Sequence, residues 1–524
     1  MGSVGLVSGR TVALLLVLSL VAGTFVPPAT AQSSSSDPPR VSISVERRPA
    51  NHGVVRYHLD FETPDDAHRF WLINYTGNVV SSEGFVADST KNGNHALRWD
   101  GETESPSMTI TTSVKSGNGR EFAATDDWTL APTPRVSVAW GESGDGEWSY
   151  FHPFQDEYPN RDVSFADVGV LGSAFTYVGK YDEHVRSENG QRFRMIVAAD
   201  ASPAESPRNV FDSLAAASKR IPGDTPDDVL LFVLPDPIWR GGYASPKYDE
   251  LWVHEAARLD DPQNLWLHEY IHTRQSFDLS DRMSWFREAS AAYFASDLAM
   301  QQGRTSKSAV ADTLSLKSYD ESVLSNTDTW ANREVPYYRG ALTLWALDEK
   351  IQKATDGKRS LMDVFDRMNR RDGTVTYADF TKIVADVAGQ SMTPWLDEHV
   401  TTTTKPNLEP LRNSDNAGSN VGKAASDSNN NGNSGKESDG LSDVQPPAKT
   451  GDIPSTLVLW GGLGLVGLVF GLTLAQYVSG FVSRFRGGSR RAIRPRFSVS
   501  GAGATATASP VRRPAARVFS ATLR

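Results

Sequence analysis

Two histidines four positions apart, His268 and His272, lie in the apolar run Leu265-Trp266-Leu267-His268-Glu269-Tyr270-Ile271-His272. No other stretch of the 524 residues restricts the fold so sharply. On a helix the pair falls one turn apart on a single face, so two imidazoles can grip one metal ion. Asp261 is the candidate N-cap of that helix and Pro262 its first residue. Glu269, beside the first histidine, is placed to take a proton from water activated there. A catalytic zinc takes three protein ligands and keeps one position open. The run Trp285-Phe286-Arg287-Glu288-Ala289-Ser290-Ala291-Ala292-Tyr293-Phe294 reads as the next helix, with Ser284 as its cap and Gly303 past its end. Within it Glu288 is a carboxylate among apolar and small residues, where burial is costly unless the group is paired or bound to a metal. The expected cofactor is therefore Zn2+, held by His268, His272 and Glu288, with Glu269 as general base. The nearby His254-Glu255-Ala256-Ala257-Arg258 lacks the second histidine and is a near miss.

The chain has no cysteine, which excludes disulfides, thiolate nucleophiles and Cys-based zinc sites. Ten arginines and no acidic residue follow Asp452, so the net charge of −10 understates how acidic the preceding body is. An acidic body argues against nucleic acid as a partner.

The histidine motif followed by Trp285-Phe286-Arg287-Glu288 resembles the gluzincins. His268-Glu269-Tyr270-Ile271-His272-Thr273 is similar to the glycyl aminopeptidase family, relatives of aminopeptidase N. Pro336-Tyr337-Tyr338-Arg339-Gly340-Ala341-Leu342 resembles that family's Y-x-K-G-A element, with Arg in place of Lys. Thr355-Asp356-Gly357-Lys358-Arg359-Ser360-Leu361 resembles its T-G-G-K-R-S-L stretch. The likeness spans about residues 225–402. It implies a thermolysin-like, mainly helical zinc peptidase domain that acts on a peptide or protein substrate. It also implies a tyrosine that stabilises the oxyanion: Tyr337, with Tyr338 as the alternative. The chain departs from the family in two places. The interval from His272 to Glu288 is shorter. Aminopeptidase N relatives also carry G-x-M-E-N before the metal helix, where the Glu holds the substrate's free amine. The matching stretch here is Gly241-Gly242-Tyr243-Ala244-Ser245, without a Glu. Exopeptidase against endopeptidase action therefore stays open. Gly241 and Gly242 are candidate substrate-binding residues, since a glycine edge strand can pair with an extended peptide.

The fold class expected is α+β. Residues 32–215 alternate apolar and polar in short runs such as VSISV (41–45), MTITTSV (108–114) and RVSVAW (135–140), which predicts a mostly-β, sandwich-like region. From Pro207 the texture turns helical, interrupted by one strand, VLLFVLP (229–235), and residues 216–402 form the catalytic domain.

The ends carry topology. Residues 1–31 read as a signal peptide, with an apolar run behind Arg10 and Ala29-Thr30-Ala31 as cleavage signature. Residues 403–454 are polar and low in complexity, a tether without a core. Residues 455–478 carry no charge and are long enough to span a bilayer. The arginines of 479–524 place that tail in the cytoplasm and the body outside. The glycines of the span offer a homodimer face, and Asn74-Tyr75-Thr76 is a glycosylation sequon. Together these describe a cell-membrane, single-pass, extracellular zinc metallopeptidase. The alternative is an inactive cell-surface adhesion or binding protein that retains the peptidase scaffold.

Overall fold

The computed structural model describes residues 39–407, apart from 49–50, 64–66, 74, 89–95, 115–120, 143–148, 156–157 and 246. The expected signal peptide, transmembrane span, cytoplasmic tail and Asn74 lie outside the described residues, as does most of the tether. Among the described residues no helix is long and apolar enough to cross a membrane.

The N-terminal region is β-rich. One five-stranded sheet has the order Arg161–Phe165, Arg40–Arg48, Asn51–Glu62, Ser107–Ser113, Asn78–Glu83. A second runs Ser149–Phe151, Ser137–Glu142, Ala67–Ile73, Ala96–Trp99, Phe85–Asp88. The strand Arg40–Arg48 alternates as its sequence predicts, with Val41, Ile43 and Val45 buried and Ser42 and Ser44 exposed. Val41, Tyr57 and Ile110 of the first sheet share one apolar cluster with Phe70, Val138 and Phe151 of the second, which makes the pair a sandwich. A third, four-stranded sheet contains Thr129–Pro132 and Phe175–Val178.

The metal-site half is built on a fourth sheet, in the order Tyr181–Glu188, Gln191–Ala198, Asp228–Leu234, Glu250–His254, Gly242–Ala244. Its three middle strands are parallel, and both outer ones are antiparallel to their neighbours. The middle strand, Asp228–Leu234, has two buried faces, so after Asp228 its sequence is apolar throughout rather than alternating. Val229, Leu231 and Val233 point to the helices, whereas Leu230, Phe232 and Leu234 share a cluster with Phe175 and Tyr177 of the third sheet and with Trp128 just ahead of its strand Thr129–Pro132. Glu250 joins these two layers. Its buried carboxylate accepts from the backbone N–H groups of Ser173, Ala174 and Phe175.

The structure differs from the sequence expectations at three points. The division at residues 215/216 falls inside the helix Pro207–Ser218, which crosses between two strands of the same sheet, and the sheet itself begins at Tyr181. The half expected to be mainly helical with one strand gives this sheet three strands after Pro207, and a separate two-residue pair, Asp278–Leu279 and Thr374–Val375, besides. Two of them, Gly242–Ala244 and Glu250–His254, have only three and five residues, too short for a period to register. At the other boundary the body reaches past 402, because Thr404 and Lys405 are bonded to it.

Candidate active site

The histidine helix is Leu265–His272, and its cap is Asn264, not Asp261. Asn264 has φ +30°, a left-handed conformation that asparagine tolerates better than most residues. Its side chain accepts from Leu267 N–H and donates to the Leu259 carbonyl, at 3.1 and 2.7 Å. Asp261 caps only the turn before, through Gln263 N–H. Trp266, Leu267, Tyr270 and Ile271 are all buried in the core. Tyr270 donates to Gln191 on the sheet and accepts from Arg274, which secures the back of the helix. The second helix is Trp285–Gln301, and Ser284 makes no side-chain cap bond.

Packing these two helices side by side brings the three expected ligands to one point. His268 Nε2 and His272 Nε2 are 3.2 Å apart, and each is 3.3 Å from Glu288 Oε2. Among the described residues this is the one group of three such side chains able to hold a metal. A tetrahedral ion with ligands at about 2.0–2.1 Å needs donor atoms about 3.3 Å apart. The triangle has that size, so these residues fit zinc. The hydrogen bonds around it also fit. Gln275 Nε2 donates to the Arg287 carbonyl and to Ser290 Oγ, which orients the amide so that Oε1 accepts from His272 Nδ1 at 2.9 Å. His272 thus carries its proton on Nδ1 and presents the Nε2 lone pair to the ion. Arg287 closes the network on Gln275 Oε1 and the Phe277 carbonyl.

The electrostatics favour a cation at this point. Burial works against the Glu288 charge, yet His272 and His268 hold its carboxyl well below the usual range. Burial likewise opposes charge on His272, but Glu288 overrides it and lifts the imidazole to about 9. The field that draws a proton onto this pair draws a metal ion for the same reason.

Glu269 is buried beside the ligands, and that burial raises its carboxyl; the Ala244 backbone N–H bonds to it. Tyr337 stacks on His268 with ring centroids 5.2 Å apart and planes at 14°. Its phenol is pushed well up by burial, then by Glu288 and Glu269. Tyr338 points elsewhere, against Tyr319 and Lys317. Tyr337, not Tyr338, therefore faces the ligands. Both lie on one π-helical turn, Pro336–Gly340, a distortion often found at functional sites.

The two candidate glycines behave differently. Gly241 O accepts from His254 N–H, and Ser245 N–H donates to Glu250 O, so the main chain at 241 and 245 faces the neighbouring strand. By strand alternation Gly242 and Ala244 face the free edge, and Gly242 does so next to Glu269. A Cβ at Gly242 would lie 2.6 Å from Glu269 Cγ and 2.7 Å from its Oε1. Gly242→Ala should therefore displace the carboxylate while zinc stays bound, with kcat falling on the order of 10²-fold. Unchanged kcat in that variant would show that Glu269 has room to spare. Gln275, Arg287 and Ser290 are not among the expected site residues. The signal available was the polar Arg274-Gln275 pair directly after an apolar helix.

Set against solved structures, the chain superposes on an aminopeptidase N family protein from Idiomarina loihiensis. The match covers 71% of this chain and 77% of that one, with TM-score 0.51 and 12% identity. The fold is that of the aminopeptidase N relatives. An M1 zinc metallopeptidase from Deinococcus radiodurans matches over 71% of this chain and 94% of its own, at TM-score 0.44 and 14% identity. A mutant of an M1 zinc metallopeptidase from the same organism, bound to a Tyr-Ser-Ala substrate, matches over the same shares, at 0.45 and 12%. No family model matches the sequence, and no curated protein does. The aminopeptidase N fold agrees with the resemblance first visible in residues 268–294 and 336–342, and with a β-rich region ahead of the metal-site half.

Proposed function

We propose that this chain is a zinc metallopeptidase that cuts within polypeptides and works on the outer side of a membrane, tethered by a C-terminal span. The observation that carries the reading is the convergence of His268, His272 and Glu288 on one point, with Glu269 and Tyr337 beside it. When bound there, zinc would supply Lewis acidity toward the peptide carbonyl and the attacking water. The remaining work falls to the chain. The substrate backbone lies antiparallel along the free edge, on the main-chain groups of Gly242 and the carbonyl of Ala244. Glu269 takes the proton from water as it adds to the scissile carbonyl, then delivers it to the departing amine. Tyr337 donates its O–H to the oxygen that becomes negative in the transition state. Gln275 keeps His272 in the tautomer that ligation requires.

Ala244 stands where the family's amine-holding glutamate would be, and it offers Glu269 only a backbone N–H. That favours internal cleavage. The outward orientation and the anchor rest on the charge-free run 455–478 and the arginines after it. N-terminally acetylated peptides should be cut at least as fast as the same peptides with a free amine, measured as kcat/KM on a quenched library. A strict requirement for the free amine would restore the aminopeptidase reading. No turnover from a zinc-loaded chain would remove the peptidase reading altogether.

A further inference from the structure

The π-helical turn that carries Tyr337 also carries a buried guanidinium with an unusual set of partners. Arg339 is 1% exposed. Its Nη1 donates to the Tyr319 carbonyl at 3.3 Å, and Nη2 donates to the carbonyls of Thr402 and Thr404 at 2.9 and 3.2 Å. Among the described residues Nε has no partner, and no carboxylate comes within ion-pair distance. Burial works against this cation and only the more distant Asp320 charge offsets it, so the group is costly to keep there and its worth must lie in the geometry it imposes. What it imposes is visible in the chain path. The fork joins the Tyr337 turn to the last segment of the body, which is itself tied down. His399 Nδ1 meets the Thr404 carbonyl at 3.2 Å, Thr402 Oγ1 bonds to the Glu398 carbonyl, and Lys405 pairs with Asp320. On its other side the turn rests on the glutamate helix, where a Cβ at Gly340 would meet Ala289 Cβ at 2.7 Å. Tyr337 faces His268 from a turn held between these two supports.

We propose that Arg339 is a positioning residue for Tyr337 and that residues 402–404, at the root of the tether, form a working part of the active site. The guanidinium and the three carbonyls set the height of the π-helical turn over the ligands, and so the reach of the Tyr337 hydroxyl. A lysine cannot reproduce this, because its single ammonium cannot reach three carbonyls with a fixed fork. The proposal rests on the peptidase reading given above.

The test is a double-mutant cycle in the full chain, read on an acetylated peptide substrate. Arg339→Lys and Arg339→Met are each made alone and with Tyr337→Phe, and zinc content, melting temperature, kcat and KM are measured. With Tyr337 present, kcat should fall about 10–100-fold, the size of loss a misplaced catalytic group brings. KM should stay within about twofold and zinc should stay bound. In the Tyr337→Phe background the same substitutions should cost less than about twofold, because the hydroxyl they misplace is already gone. Equal losses in both backgrounds, or no loss with Tyr337 present, would overturn the proposal and leave the peptidase reading intact. If Arg339→Met fails to fold, Arg339→Lys decides the same question. A wild type that holds zinc and cuts nothing overturns the peptidase reading, and this proposal falls with it.

Discussion

Glu269→Gln is expected to keep its zinc and its melting temperature while losing turnover by about 10²–10⁴-fold, the range for a missing general base. Glu269 is not one of the three converging ligands, so the metal should not sense the change. The amide is close to isosteric with the carboxylate and can still accept the Ala244 N–H on its oxygen. It cannot accept the proton of the attacking water. The substitution therefore separates catalyst from scaffold better than a truncation would, since Glu269→Ala would also open space next to Gly242. Zinc per chain, thermal unfolding and peptide turnover measured on the same preparation decide it. Equal turnover in wild type and variant would assign the base elsewhere. If both are inert on every peptide, the alternative of an inactive binding protein on a peptidase scaffold gains.

His272→Ala is expected to empty the metal site and abolish hydrolysis. Two ligands remain after the change, and they lie on different helices, Leu265–His272 and Trp285–Gln301. Losing even an outer partner of a ligand weakens metal binding by about 10–100-fold, so losing the ligand itself should exceed about 10²-fold. Gln275 Oε1 would also lose the imidazole N–H it accepts and keep only the longer contact from Arg287 at 3.4 Å. A chain dialysed against metal-free buffer should then carry essentially no zinc. It should also lose the melting-temperature increment that zinc gives the wild type, because binding to the folded state stabilises it by mass action. Full zinc occupancy in His272→Ala would end the ligand assignment.

The legible and illegible parts of this site divide by distance along the chain. His268, Glu269 and His272 are readable because a helix places i and i+4 on one face whatever surrounds it. Glu288 is readable because a carboxylate set in an apolar and small-residue run points to a counter-charge or a metal as its partner. Resemblance singles out Tyr337 over Tyr338, and the packing of its ring on His268 agrees with that choice. The cap is not readable, because Asp261 and Asn264 are both good cap residues three positions apart. Which one serves depends on where the chain leaves the turn at Leu259, and Asn264 reaches back to that carbonyl.

The residues by themselves determined the local chemistry: which side chains can ligate, which can take a proton, and which strands alternate in the β-rich region. Only the tertiary structure decided where the metal-site sheet begins, that Gly242 lies against Glu269, and that Gln275 orients His272 through Arg287 and Ser290. It also decided that Arg339 holds the Tyr337 turn to residues more than sixty positions away. Local periodicity follows from backbone geometry and can be read in a window of a few residues. Close approach, tautomer and turn height follow from how distant segments share one core, and no window along the chain contains both partners.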